Sequence, residues 1–286
     1  MKPALVALAA AALALPASGG SAPARRQVPS FSHVVLVVFE NKEVGEIFGS
    51  RTAPTFNRLR RRYAAISPYT ALTHPSLPNY LALVSGSTQG IRSDCTSCSV
   101  SARNLADVLE AAGKTWKTYA EGLPRPGFTG ASAGRYAKKH NPLLYFRDVM
   151  GDQQRLSRIL PLASFRTDLA AARLPSFSLV VPDLCHDMHD CPIPTGDRWL
   201  ARFLRPLLGS RALGRGVVFV VFDEGQTNIR GGGRIAALAL GPLVRRGARP
   251  RRPTNHYGLL RTIEDGLGVA RLGKSAATPP IAGIWK

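Results

Sequence analysis

A chain of 286 residues, 45% of them hydrophobic, is long enough for one sizeable α/β domain with a full core, and nothing in it calls for two. Its 38 lysines and arginines against 18 aspartates and glutamates give a formal charge of +20. Such a surface attracts polyanions, whether nucleic acid, anionic lipid head groups or phosphorylated substrates, or else it reflects an arginine-rich bias with no partner behind it. No finger, recognition-helix or stacked-aromatic signature accompanies the charge, which excludes a specific nucleic-acid reader, and beyond the leader no segment approaches membrane-spanning length.

The chain opens on Met1-Lys2-Pro3, an Ala/Leu/Val run to Pro16 and small residues from Ala17 to Ala22. A basic head, an apolar centre and a small-residue exit predict an export signal over residues 1–24, with an uncleaved anchor as the alternative, and one domain over residues 25–286. Phe31 to Phe39 is a continuous apolar, β-branched run, the pattern of a strand buried on both faces of a parallel sheet. It ends in Glu40-Asn41, beyond the carboxyl end of a strand, where open α/β sheets hold their ligands. The pair suits a metal or a polar ligand, or merely caps the next turn. Pro54 to Tyr63 reads as a helix with Phe56 and Leu59 inward and Arg58, Arg60, Arg61 and Arg62 forming an outer basic row.

In Thr73-His74-Pro75-Ser76-Leu77-Pro78-Asn79-Tyr80, a hydroxyl precedes by two residues a proline that opens an apolar segment. Ser76 is thereby placed just ahead of a helix that closes at Gly86, where orphan N–H groups and the positive dipole end favour anions. It is the candidate nucleophile; read otherwise, it caps a proline-rich turn. Cys95 with Cys98 and Cys185 with Cys191 are close pairs that read as two disulfides in an exported chain. Zinc or redox chemistry at Cys-x-x-Cys is the weaker reading, because the zinc spacing is not repeated. Ser101 is a plausible N-cap for a helix through Leu105, Val108 and Leu109 that stops at Gly113, and Thr115 to Ala120 supplies a strand ending at Glu121.

Residues 122–164 carry much Gly, Pro and basic character and little period, and are expected to form an insertion or lid. Within it, His140-Asn141-Pro142 either holds an imidazole over the site or leaves a solvated loop histidine. Ser176 to Val181 is a second buried strand, and its carboxyl end delivers Asp183, His186, Asp187, His189 and Asp190, more polar chemistry than a solvated loop needs. Gly196 to Leu208 has the spacing of an amphipathic helix. Gly216 to Phe222 is a third buried strand, ending in Asp223-Glu224, with a glycine run at Gly231-Gly232-Gly233; a further strand spans Arg234 to Gly241. His256 precedes the last helix, as a ligand or as a helix-start residue. Three strands ending in carboxylates suit a hard or borderline divalent ion, since paired acids in a dry cleft repel each other without one.

Together these motifs resemble the bacterial phosphoesterase family of secreted acid phosphatases and phospholipases C, within the alkaline-phosphatase superfamily. The matching text includes Val38-Phe39-Glu40-Asn41, His74 to Tyr80, Lys139-His140-Asn141-Pro142, Asp187-Met188-His189-Asp190, Gly196-Asp197-Arg198-Trp199 and Phe222-Asp223-Glu224-Gly225. It is closer to small secreted acid phosphatases, some acting on phosphoinositides, than to the larger phospholipases. The resemblance implies an α/β three-layer sandwich with a mostly parallel central sheet flanked by helices. It implies one divalent ion held by Glu40, Asn41, Asp223 and Glu224, with Ser76 attacking phosphorus and Asn79 bonded to a phosphoryl oxygen. A second ion is left open, because Asp183 to Asp190 and His256 lie where two-metal relatives carry one. In a one-metal enzyme His74, Asp183, His186, Asp187 and His256 would instead surround phosphate, with His189 or His140 protonating the leaving oxygen. Relatives of the phospholipase type often show Asp-Glu-x-Asp-Gly, whereas this chain has Asp223-Glu224-Gly225-Gln226-Thr227, which puts the metal number in doubt.

The expected reaction is metal-assisted phosphomonoester hydrolysis through a phosphoserine, on a phosphorylated small molecule or phospholipid head group, with peripheral contact to anionic surfaces. A phospholipase C cleaving diesters is the nearest rival. A non-catalytic polyanion-binding protein is another, against which the complete set Glu40, Asn41, Ser76, Asp223 and Glu224 argues.

Overall fold

Nearly continuous runs of Val, Leu and Phe form the middle of the molecule, because a strand covered on both faces has no side that must stay polar. The computed structural model describes Met1, Ala4 and residues 28–286, so the leader expected over residues 1–24 lies outside the described residues. The strands are β1 (Val34–Phe39), β2 (Ala64–Ala65), β3 (Trp116–Ala120), β4 (Ser132–Ala133), β5 (Tyr136–Ala137), β6 (Ile159–Pro161), β7 (Phe177–Val181), β8 (Val217–Phe222) and β9 (Ala237–Leu240). Seven of them form one sheet in the order β2-β9-β8-β1-β7-β3-β6, and β4 and β5 pair separately. In the large sheet only β9 runs opposite in direction to the other six strands.

The helices are α1 (Val44–Ile47), α2 (Pro54–Arg62), α3 (Ser76–Ser85), α4 (Leu105–Ala111), α5 (Arg147–Met150), α6 (Gln153–Leu156), α7 (Ala163–Ala170), α8 (Ile193–Leu208) and α9 (His256–Leu267). Successive side chains of a strand alternate faces, so Phe222 and Phe219, three apart, point to opposite sides of the sheet. Phe222 meets Phe56 of α2, and its neighbour Phe39 meets both Phe56 and Trp199 of α8. Phe219 meets Phe31, whose ring lies against Gly266 of α9. Helices therefore cover both faces, and the expected three-layer α/β architecture is the one observed.

Register decides where the chemistry falls. β1 and β8 pair in step from Val34 with Val217 to Phe39 with Phe222, so Glu40 and Asp223 leave the sheet side by side. The Asp223 N–H then donates to Phe39 O at 2.8 Å, and the Glu40 N–H to Asp187 O at 2.9 Å, drawing the loop after β7 to the same point.

Four expectations shift. The segment 122–164 is more than an insertion or lid: its β6 is the edge strand beside β3, and Leu143, Leu144, Tyr145, Phe146 and Val149 are buried. Three residues ending in proline are too short for a periodic signal, and an edge is where a strand tolerates proline. The N-cap of α4 is Asn104 rather than Ser101: its side chain accepts from Ala106 N while Asp107 accepts from Asn104 N. Helix α8 begins at Ile193, ahead of Gly196, and Gly196 is required there because a Cβ would lie 2.5 Å from Met188 Cγ. The expected strand over Arg234 to Gly241 contracts to β9, with Arg234 and Ile235 bridging instead to Thr70 and Glu43.

Candidate active site

The site gathers around Glu40, which is fully buried. Ser76 is the first residue of α3, and its Oγ donates to Glu40 Oε2 at 2.9 Å. Tyr80, one turn on and so on the same helical face, donates from its hydroxyl to Glu40 Oε1 at 2.5 Å. The imidazole of His140 stacks on Tyr80 with ring centroids 5.2 Å apart, placing Nε2 3.4 Å from Glu40 Oε1 and Nδ1 3.3 Å from Asp187 Oδ2. Asp223 joins from β8, with Oδ1 accepting from the Asn41 N–H at 3.1 Å. Asn41 itself adopts φ 54°, a left-handed conformation that asparagine tolerates better than most residues.

Three carboxylates in one dry place are electrostatically unstable alone. Burial, then the charges of Asp223 and Asp187, hold the Glu40 carboxyl well above the usual range. Burial likewise raises Asp187, and it raises Asp223 to about 6 against the Asn41 hydrogen bond. Burial and the Lys139 charge push His140 well below the usual histidine value. Among the described residues, Asp187 Oδ2, Asp223 Oδ2 and His140 Nε2 are buried with no hydrogen-bond partner. Glu40, His140 and Asp187 each offer a ligand atom within 4.8 Å of the others. Orphaned, converging oxygens with one imidazole are the donor set of a hard or borderline divalent cation, which would satisfy the unpaired atoms and remove the repulsion together.

The remaining expected residues surround this centre in other roles. Glu224 faces His74, with Oε2 3.0 Å from Nδ1, and the other ring nitrogen of His74 meets Thr227 O at 3.0 Å. Burial, then the charges of Asp223 and Asp94, push Glu224 up to about 9. Asn79 donates to Thr73 O at 2.7 Å, to Pro75 O and to Glu224 Oε2, and accepts from Leu72 N at 3.1 Å. Its amide thus holds the loop that delivers Ser76 and has no spare donor for phosphate in this arrangement. His256 Nε2 lies 2.6 Å from Asp223 O, which can only accept, so that nitrogen carries the proton and Nδ1 accepts from Tyr69 Oη at 3.0 Å. Both ring nitrogens are thus occupied, Nε2 holding the end of β8 and Nδ1 tied to Tyr69.

The glycine run also has a local cause: a Cβ on Gly231 would lie 2.2 Å from Leu72 O, and one on Gly232 2.7 Å from Thr73 N. Only bare backbone can lie so close to the loop ahead of Ser76. Glu43 fixes the same glycine loop, its Oε1 accepting from the N–H groups of Gln226 and Thr227.

At the open side, Lys139 Nζ lies 2.9 Å from Asp94 Oδ2 and 3.4 Å from His189 Nε2. Asp94 also accepts from Leu77 N at 2.9 Å, and His189 Nδ1 meets Asp190 Oδ1 at 2.6 Å. A second cluster stands apart at the ends of β3 and β7. His186 Nδ1 lies 3.0 Å from Glu121 Oε2 and 3.4 Å from Asp183 Oδ1, while Asp183 Oδ1 accepts from the N–H groups of Cys185 and His186. The expected disulfides Cys95–Cys98 and Cys185–Cys191 are both present.

Sequence reasoning passed over Tyr80, Asp94 and a role for Lys139. Tyr80 was within reach, because its i,i+4 spacing from Ser76 fixes it to the same face. Asp94 carries no local signal.

Residues 40–270 match the Phosphoesterase family. A phosphatidylinositol-3-phosphatase of Mycobacterium tuberculosis is 36% identical, the match covering 90% of this chain and 84% of that one. A probable acid phosphatase of Kluyveromyces lactis is 29% identical over 86% of this chain, which spans 60% of that longer protein. Among solved structures, a protein of the alkaline phosphatase superfamily from Vibrio parahaemolyticus superposes with TM-score 0.65 at 14% identity, over 89% of this chain and 71% of its own, a likeness of fold.

Proposed function

This chain belongs to the Phosphoesterase family and is a hydrolase of phosphoesters, and from that premise we propose a secreted, metal-dependent acid phosphatase that works through a phosphoserine at Ser76. One observation carries the reading: the Ser76 hydroxyl, at a helix start, donates at 2.9 Å to a carboxylate surrounded by orphaned buried ligand atoms. Glu40, Asp187, Asp223 and His140 would hold a divalent cation, which would supply Lewis acidity and offset the charge of the transferring phosphoryl group. This set retains Glu40 and Asp223 from the sequence reading, takes in Asp187 and His140, and leaves Asn41 contributing its backbone N–H and Glu224 paired with His74.

Ser76 passes its proton to Glu40 Oε2, which already accepts it at 2.9 Å, as Oγ forms the new P–O bond and the bond to the leaving alcohol breaks. Lys139, beside the site and charged against Asp94, faces the non-bridging oxygens. His189 protonates the leaving oxygen: Asp190 orients its ring, and its side chain is 30% exposed, whereas His140 is sealed between two carboxylates. The same His189 then takes a proton from the water that hydrolyses the phosphoserine, and Glu40 returns its proton to the departing Ser76 Oγ.

The name of the Mycobacterium relative supports phosphoinositides as the first lipid substrates to try. The export-signal pattern of residues 1–24 and the disulfide-paired cysteines support an extracytoplasmic location. Metal-stripped protein, with metals added back singly, is assayed for phosphate release from a panel of monoesters and diesters. Wild type is expected to regain monoester turnover with one metal class, and Ser76→Ala to lose about 10⁴-fold or more while keeping its melting temperature. Normal turnover by Ser76→Ala, or cleavage confined to diesters, sinks the proposal.

A further inference from the structure

The end of the sheet opposite Ser76 has the inverse chemistry. Arg61 and Arg62 close α2, Arg205 lies in the last turn of α8, and Arg211 and Arg246 come from the loops before β8 and after β9. With Arg58, which shares a face of α2 with Arg61 and Arg62 by its i,i+3 and i,i+4 spacing, they line two adjoining cavities of about 1050 and 500 Å³. No acidic residue lines either cavity, and none of the six arginines has an ion-pair partner among the described residues. The row Arg58 to Arg62 and the basic stretch Arg245 to Arg252, nearly two hundred residues apart in sequence, come together at this end: Ala65 N donates to Ala248 O, and the charge of Arg249 bears on Arg60.

Two helix carboxyl ends supply only about half a negative charge each, too little to balance six guanidinium groups held together. An anion with several charges would balance them, and guanidinium forks match phosphate oxygens. Tyr63 is the only aromatic in the lining, and Arg62 already covers its ring at 5.6 Å, which leaves no platform for stacking bases. Apart from Met1, the only exposed large hydrophobic among the described residues is Ile229, on the glycine loop at the far end, so the basic face has no apolar group to enter a bilayer. We propose that this groove binds a linear chain of phosphate groups, separately from catalysis at Ser76.

The test is fluorescence anisotropy of end-labelled short-chain inorganic polyphosphate with the full chain, across a salt series. With about five contacts, affinity should fall about 100-fold between 50 and 200 mM salt. The variant R61E/R62E/R246E should bind at least about 30-fold more weakly, and the uncharged R61Q/R62Q/R246Q should lower the log–log salt slope by about 2. Both should keep wild-type turnover of a small phosphomonoester, which also certifies their fold. Absence of salt-dependent binding, or equal binding by the glutamine variant, overturns the proposal. So does tighter binding of oligothymidylate or of anionic vesicles through the same arginines.

Discussion

Glu40, Asp187 and His140 at one place on the carboxyl edge of the sheet, and Glu121, Asp183 and His186 two strands away, are the same three residue types in two clusters. The first is buried and leaves ligand atoms of Asp187 and His140 without hydrogen bonds; the second is partly exposed, and its carboxylates accept from backbone N–H groups of the loop after β7. Composition therefore does not distinguish a site from a brace. Satisfaction does: a cluster whose polar atoms are already paired gains little from a cation, whereas one with buried orphans gains both hydrogen-bond replacement and relief of repulsion.

The largest effect that would break this contrast is expected at Asp187. Replacing it by Asn removes a buried charge from beside Glu40 and Asp223, so metal-stripped Asp187→Asn should melt a few degrees above stripped wild type. The same variant should lose the rise in melting temperature that metal gives wild type, and at least about 100-fold in turnover. A wild-type metal shift in this variant would mean that the buried cluster is not the cation site. A smaller effect is expected at the other cluster. Glu121→Gln keeps one acceptor for Asp183 N but weakens the pairing with His186, so it should lower the melting temperature by about 2–4 °C and leave kcat/KM within about twofold. Loss of the metal shift in Glu121→Gln would reverse the two assignments.

The sequence could not separate these clusters, although it made the sheet legible. β1 and β8 are uninterrupted apolar runs, β7 is broken only by Ser178, and strand ends in an open α/β sheet point at the ligand, so Glu40 and Asp223 follow from local pattern alone. Asp183, His186, Asp187 and His189 lie within one short loop, and their fates diverge through partners far along the chain. Asp187 meets His140 and the strand end at Glu40, whereas His186 meets Glu121 and stacks toward Trp199. Nothing within a few residues encodes those meetings. Asp94 and Lys139 are illegible for the same reason, since their pairing spans 45 residues. The edge strand β6 is hidden differently, being only three residues long.

Glu264 separates burial from dissatisfaction, because it is buried like Glu40 and paired like Glu121. Burial raises its carboxyl to about 7, and the hydrogen bonds agree that it is neutral. Ser275 Oγ lies 2.6 Å from Glu264 Oε2 and 2.7 Å from Leu272 O, yet a serine has one proton to donate. A protonated Glu264 resolves this by donating to Ser275, which donates onward to Leu272 O, while Oε1 accepts from Leu272 N at 2.9 Å. Between the usual value of 4.5 and about 7 the folded chain therefore retains a proton that the unfolded chain has lost. Unfolding free energy should fall as pH rises through that window, by on the order of 3 kcal/mol at most, and level off above it. Glutamine reproduces the neutral geometry, its amide donating to Ser275 and its carbonyl accepting from Leu272 N. Glu264→Gln should match wild type near pH 4.5 and exceed it progressively toward pH 8 in urea unfolding, with turnover unchanged. Parallel curves for the two proteins would mean that burial with full hydrogen bonding does not raise a carboxyl here, and the strain assigned to Glu40 would then rest on its charged neighbours alone.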